Sequence, residues 1–456
     1  MLEHADFVPP RPVLPARFGG TLALLRTSAE DMLRFFPESG FRHRLIPMRT
    51  LRRRLLVVND PELVREVFVL HAAANEAKSP HFRQALAPVI GDSMFLNSGR
   101  VWAERRAVIA RLIHPSRTAQ FHPLFVEGAE ALAARWRGRV DVARELAAAT
   151  ALAVMRALFP RTAREADAAA LAAAFTAYES RVLAVDFAHL LGLPERLSGL
   201  QLRAARRHAR EIRALCAAAI ARALPDEGGL FAELRAACDA AGRPLLDAEQ
   251  LLNEVAMLLL AGSETSANAL TWALYLIARH PPTLAQLRAE HARVLGGRAP
   301  SFADLAELPF TKAVTQEAMR LYPPVPYLSR EAAASLRVGQ VTLHPGDTVM
   351  ALPWLLHRHE QLWDAPHAFR PERFLPDAPR KPPRMGYIPF SIGPRVCAGA
   401  AFAQAEMSVF LAVLLQRLDF SAPPGAEPMP RARLTTRPRG GLVLEVTPRG
   451  ARSERM

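Results

Sequence analysis

The stretch Phe390-Ser391-Ile392-Gly393-Pro394-Arg395-Val396-Cys397-Ala398-Gly399 sets one cysteine between two glycines, with an arginine two residues before it. It joins a Pro-rich, aromatic-bearing segment, Trp363 to Pro389, to a strongly apolar run that starts at about Ala398 and continues to Leu418. The run reads as a helix and the segment before it as an ordered meander, too irregular for a helix and too rich in large side chains for a linker. Gly393 and Gly399 allow tight backbone conformations, and Cys397 falls just before a helix N-terminus, whose N–H groups and dipole favour an anion. These features are expected to stabilise a thiolate, a soft and strongly donating metal ligand. Arg395 is placed to pair with a carboxylate of a bound group. Cys216 and Cys238, both in Ala-rich helical surroundings, read instead as small buried hydrophobes.

Upstream, Glu254 to Ile277 reads as one long apolar helix broken by the polar patch Ala261-Gly262-Ser263-Glu264-Thr265-Ser266. Such a break inside a buried helix needs a reason. Gly262 removes side-chain bulk, and Thr265 can bond back to the carbonyl of Ala261, which together would open a groove for a small ligand. Leu258, Ala261, Gly262 and Thr265 lie near one face by helical spacing, and Glu264 puts an acid beside the alcohol, as a proton relay requires.

Further out, Pro61 to about Leu321 is mainly helical in pattern, with β-like stretches around Leu45 to Asp60 and from Leu336 to Leu352, and short strands near Gly441 to Val446. The 456 residues, half of them hydrophobic, suffice for a large core. Three cysteines are too few and too scattered for a disulfide framework, which points to a reducing, cytoplasmic setting. No signal peptide is apparent, and the longest apolar runs, such as Val255 to Gly262 and Val409 to Leu415, fall short of the roughly 18 residues a membrane span needs. The formal charge of +14 would suit nucleic acid only if it were clustered; arginines are scattered instead, so nucleic acid is not expected, and the charge reads first as a coding bias toward Arg and Ala, with steering of an acidic partner as the second reading.

The cysteine stretch resembles the signature Phe-x-x-Gly-x-Arg-x-Cys-x-Gly of the cytochromes P-450 at all five fixed positions, Phe390, Gly393, Arg395, Cys397 and Gly399, a coincidence expected by chance on the order of 10⁻⁴. Ala403 and Glu406 continue the likeness. The patch on the long helix resembles the family's oxygen-activating motif, with Ser266 standing where a second threonine is usual. Glu317 and Arg320, followed by Tyr322-Pro323-Pro324 and later by Pro371-Glu372-Arg373-Phe374, resemble its Glu-x-x-Arg and Pro-Glu-Arg-Phe elements; Trp102 and Arg106 resemble its Trp-x-x-x-Arg element.

The resemblance implies a single domain over 1–456, with 1–40 as an extension packed on it. The implied fold is mainly α with small flanking sheets (α+β), its long central helix crossing over haem b. It implies Cys397 as iron ligand, and Trp102, Arg106, Arg330, Phe390, Gly393, Arg395 and Gly399 as haem-binding residues. Glu264 and Thr265 would be the catalytic pair, and Glu317, Arg320 and Arg373 a structural triad, with His357 also structural. Phe82, Met94, Phe95, Leu258, Ala261, Gly262, Val325 and Leu328 would line a pocket for a lipophilic substrate. The implied reaction inserts one atom of dioxygen, by hydroxylation or epoxidation. Electrons would come from NAD(P)H through a separate ferredoxin or flavodoxin and its reductase to a monomeric enzyme with no fused reductase. The alternatives at this level are another reaction on the same haem, such as peroxide rearrangement or oxidative coupling, and ligand binding without turnover; the presence of Glu264 and Thr265 favours the first reading.

Overall fold

A computed structural model describes residues 7–17, 31–49, 54–182, 203–239, 241–425 and 427–449. Among them the helices that build the body are α1 (Pro61–Arg65), α2 (Pro80–Ile90), α3 (Gly99–Leu112), α4 (His122–Arg135), α5 (Val142–Leu158), α6 (Glu165–Glu179), α7 (Arg206–Arg222), α8 (Gly229–Arg235), α9 (Ala248–Arg279), α10 (Pro281–Leu295), α11 (Pro309–Leu321), α12 (Pro353–Leu356) and α13 (Ala400–Arg417). α9 is the axis of the molecule. It opens with a capping box, in which Asp247 accepts from the Gln250 amide and the Gln250 side chain accepts from the Asp247 amide, at 2.8 and 3.0 Å. Such a cap contributes about 1 kcal/mol. Its apolar residues are buried almost all round, from Leu251 to Ile277, as expected of a helix enclosed by others.

The sheets are small and peripheral. β1 (Leu45–Arg49) and β2 (Arg54–Val58) form an antiparallel pair, β2 runs parallel to β7 (Thr348–Ala351), and β7 pairs antiparallel with β4 (Leu328–Glu331), giving the order β1-β2-β7-β4. β5 (Leu336–Val338) and β6 (Val341–Leu343) make a hairpin, β3 (Gly138–Asp141) and β8 (Leu418–Ser421) flank β11 (Val443–Pro448), and β9 (Pro430–Ala432) pairs with β10 (Thr436–Pro438). β3 falls inside the region expected to be helical. Only a four-residue pairing with the far end of the chain makes it a strand, so no local period could announce it.

The meander from Trp363 to Pro389 carries a single 3₁₀ turn, Pro371–Phe374, among otherwise irregular ordered backbone. The triad holds it down. Glu317 receives Arg320 Nε and Nη2 at 2.7 and 2.8 Å and Arg373 Nε at 3.2 Å, and it accepts the Arg370 amide at 2.8 Å. Arg320 also donates to the carbonyls of His357, Pro366 and Ala368 at 2.8, 2.6 and 2.9 Å, and both guanidinium groups stack on Trp363. The buried His357 ring accepts the Ile388 amide at 2.8 Å. Residues 7–17 lie across this region, with Tyr322 Oη donating to Pro10 O and the Phe369 amide to Phe7 O. The rest of the expected 1–40 extension includes residues 1–6 and 18–30, outside the described residues.

Candidate active site

The cysteine loop is shaped from two sides. Gly393 has φ +67, and a Cβ there would stand 2.1 Å from the carbonyl oxygen of Phe68, so only glycine lets the loop rest on the turn Glu66–Leu70. The Cys397 amide donates to Phe390 O at 2.8 Å, tightening the turn before α13. Gly399 does not need its freedom, since its φ is −89 and a Cβ would meet only ordinary contacts, one of them Cys397 Sγ at 4.0 Å. Its amide matters instead, because it favours the anionic sulfur.

Cys397 presents accessible surface, yet protein surrounds it so closely that burial pushes its thiol up. The Gly399 amide and Arg106 act in the opposite direction, toward the anion.

Halfway along α9 the burial pattern breaks. Ala261 is exposed, and Leu258 and Thr265 are half-buried, in a helix otherwise enclosed. The three stand one turn apart and make one accessible stripe. Thr265 Oγ1 donates to Ala261 O at 2.8 Å, as its spacing suggested, which spends its proton on the backbone and leaves its lone pairs to accept. The helix is continuous through the patch. One residue further, Ser266 meets the fully buried Glu406 of α13, whose carboxyl burial raises to about 8, so the two helices touch beside Thr265.

Around the cysteine loop stand four cations. Arg395 stacks on Trp102 at 4.2 Å and donates to Asn97 O at 2.5 Å, with Glu76 at 3.2 Å as its acidic partner. Arg106 donates to Val396 O at 2.8 Å. Arg330, on β4, is buried, donates to Ser329 O and lies over Phe68, and burial and Arg395 lower its guanidinium to about 10. Lys78 is buried over the Phe95 ring at 4.2 Å and bridges to Arg330; burial, then Arg330 and Arg395, press it well below the ordinary lysine range. Among the described residues, Glu76 is the carboxylate that pairs with Arg395. Buried like charges at this density await anions.

The family model of cytochrome P450 matches residues 10–445. The chain is a cytochrome P450. Cyclooctatin synthase of Streptomyces melanosporofaciens is 31% identical over 406 residues, 86% of each chain. Cytochrome P450 4F2 of Homo sapiens is 27% identical over 428 residues, 86% of this chain and 81% of that one. Protein LUTEIN DEFICIENT 5, chloroplastic, of Arabidopsis thaliana is 36% identical over 208 residues, 45% of this chain and 35% of that one. As a member of this family the chain is a haem monooxygenase, and the α+β architecture with a long central helix and small separate sheets is the family's fold.

The residues of this P450 fit haem. A flat, largely apolar group carrying two carboxylates and a metal suits a site with an accessible cysteine, a stripe of Leu258, Ala261 and Thr265 on α9, and buried and half-buried cations beside the cysteine loop. Trp102, Arg106, Arg330, Phe390, Gly393 and Arg395 all gather around the loop that carries Cys397, while the motif's glycines divide between a backbone need at 393 and an amide at 399.

The expected pocket residues divide. Phe82 and Met94 are buried in the main core with Phe95 and Leu258 packed against it, and Phe82 stacks on Tyr327 at 4.9 Å. Val325 and Leu328 pack instead in the smaller cluster between the first sheet and α1. Along β4, Leu328 and Arg330 share one face, and Ser329 turns to the other. Gly262 also differs from expectation. A Cβ there would meet Val154 Cγ2 of α5 at 2.9 Å, so the glycine serves the close packing of α5 on α9 and does not widen the pocket. Cys238 differs as well: it is exposed, in a bridge with Pro244 just beyond α8, while Cys216 is buried as read.

Lys78, Glu179 and Arg437 were not singled out from sequence. A lone lysine in a chain with only three was the one available signal for Lys78. Its replacement by methionine keeps the contact with Phe95 and removes a charge. The expected outcome is haem binding weakened about tenfold or more, read by transfer of haem to an apoprotein acceptor, with thermal stability of the haem-free chain unchanged or raised, because a desolvated charge has gone. Unchanged haem retention would remove Lys78 from the site.

Proposed function

We propose that this P450 carries haem b on Cys397 and inserts one atom of dioxygen into a lipophilic substrate by hydroxylation or epoxidation. Its electrons come from NAD(P)H through a separate reductase and a ferredoxin or flavodoxin. The observation that carries the reading is the accessible Cys397 in a loop flanked by Arg106, Arg395, Arg330 and Lys78. When bound, the haem supplies the activation and cleavage of dioxygen, helped by electron donation from a thiolate.

The chain's own residues do the rest. Arg330, Arg395 with Trp102, Arg106 and Lys78 hold the carboxylate edge and so orient the group. Thr265, with its proton committed to Ala261 O, accepts a hydrogen bond from whatever sits at the stripe. Glu264 stands next in sequence, and burial lifts its carboxyl above the ordinary range, so near neutral pH it holds a proton it can give. Phe82, Met94, Phe95, Tyr327, Leu258 and Ala261 offer an apolar lining that suits a lipophilic molecule and keeps water from the chemistry. The similarity to a bacterial cyclooctatin synthase supports a small-molecule substrate. The formal charge of +14 suits an acidic electron donor.

Two measurements test this. The dithionite-reduced protein under carbon monoxide should show a strongly red-shifted Soret band. Purified chain supplied with a surrogate ferredoxin, its reductase and ¹⁸O₂ should put one labelled atom into members of a lipophilic panel. An unshifted band, or label that never reaches any product while peroxide accumulates, would overturn the proposal.

A further inference from the structure

Glu264 does not point at Thr265. Its carboxyl is held on the adjoining flank of α9, about 100° round the helix, where Asn268 Nδ2 donates to Oε1 at 2.6 Å and Thr435 Oγ1 lies 3.4 Å away. Arg437 of β10 places Nη2 2.5 Å from Glu264 Oε2 and Nε 2.5 Å from Oε2 of Glu179. One guanidinium thus spans two buried carboxylates from two different helices. Glu179 is the last residue of α6, where a negative charge opposes the helix dipole, and it is 4% exposed. Nothing local favours an acid there. It accepts from the amide and the hydroxyl of Thr435, both at 2.7 Å, while Arg433 covers the carbonyls of Glu179, Ser180 and Val182. Phe175 underlies Arg437, and Tyr327 feels the Glu179 charge. Trp272 Nε1 of α9 donates to Thr436 O at 3.2 Å, which fixes the hairpin on the central helix.

We propose that Glu179 and Arg437 are positioning residues for proton delivery: by sharing one guanidinium with Glu264 they set how tightly Glu264 holds its proton. This rests on the reading of Glu264 as a proton donor. Two carboxylates compete for one cation, so the second ionisation leaves a buried negative charge in excess, and Glu264 keeps its proton further up the pH scale than a carboxyl paired with an arginine of its own would. Burial acts in the same direction, and Arg437 against it. When Glu264 gives its proton to a water held at the Thr265 hydroxyl, the O–H bond pair stays on Glu264 as a carboxylate charge, which Arg437 is already in place to receive; a solvent proton restores the acid. Because Arg437 belongs to the β9–β10 hairpin and Glu179 to the end of α6, any substrate that shifts either element alters the acid at α9.

The test uses the haem-loaded enzyme with Glu179→Gln and Arg437→Gln. One readout is the infrared titration of the protonated Glu264 carboxyl in the resting protein, assigned by its absence in Glu264→Gln. The other is the pH profile of coupling, product formed per electron pair consumed. Losing Glu179 gives Arg437 wholly to Glu264, so both profiles should move down by about one pH unit; losing Arg437 should move both up by a similar amount. Arg437→Lys, which keeps the charge, should restore the titration most of the way. Two shifts of opposite sign are what a merely structural network would not give. No shift, or shifts in one direction, overturns the inference. Should Arg437→Gln fail to fold, the downward shift in Glu179→Gln decides alone. If Glu264→Gln keeps full coupling, the proton-donor reading has failed, and the infrared shifts separately settle whether the shared guanidinium sets the proton affinity.

Discussion

Replacing Cys397 by serine should leave a folded chain without monooxygenase activity. An alcohol is a far weaker acid than a thiol and a hard, poorly donating ligand, so the reduced protein under carbon monoxide loses its red-shifted Soret band even where haem is retained. Turnover should fall at least about 10³-fold, equivalent to about 4 kcal/mol on the barrier. Stability of the haem-free protein should change little. Cys397 presents accessible surface, and serine can still accept from the Gly399 amide, so the exchange empties no packed core. Cys216 offers the contrast: it is buried in α7, burial lifts its thiol to about 12, and its change to serine should cost stability while sparing the spectrum. A Cys397→Ser protein that kept the shifted band would end the assignment of the ligand. A Cys397→Ser chain that failed to fold even without haem would instead give the cysteine a packing role the structure does not show.

Much of this site was legible because its chemistry is written in contiguous residues. Phe390 to Gly399 is a single loop, Ala261 to Ser266 one and a half turns of one helix, and Glu317 and Arg320 neighbours on another. In each case spacing along the chain fixes the arrangement in space. The long helix, the meander and the edge strands were legible for the same reason, through apolar period and through proline and glycine. What escaped depended on contacts between remote segments. Lys78 becomes part of a cationic edge only because β4 brings Arg330 against it. Glu179 and Arg437 lie 258 positions apart and meet only once the C-terminal hairpin docks on α9. Gly262 was given to the pocket from a helical wheel, which cannot show that α5 occupies that direction.

Glu317→Gln should be among the most damaging single changes to the scaffold, at about 3–5 kcal/mol. Glu317 is fully buried, and two guanidinium groups and a backbone amide converge on its two oxygens. Glutamine preserves the shape but removes the charge and turns one acceptor into a donor facing a cation. Arg320, itself 0% exposed, is then a buried charge whose remaining contacts are the carbonyls of His357, Pro366 and Ala368. Those carbonyls belong to the backbone that leads into the meander and then into the cysteine loop, so the loss reaches the site as well as the fold. The expected signature is a lower denaturant midpoint with unchanged slope, together with haem that is lost readily and a Soret band that drifts toward the unshifted position on storage. Arg373→Met, at the less buried corner of the triad, should cost less, because Arg320 keeps both oxygens of Glu317. Combining the two changes should cost less than their sum, since Arg373 without Glu317 has no carboxylate to meet. Additive effects, or a loss below about 1 kcal/mol for Glu317→Gln, would mean that the meander is held by its apolar packing on Trp363 and Tyr387 and that the ion triad is incidental to it.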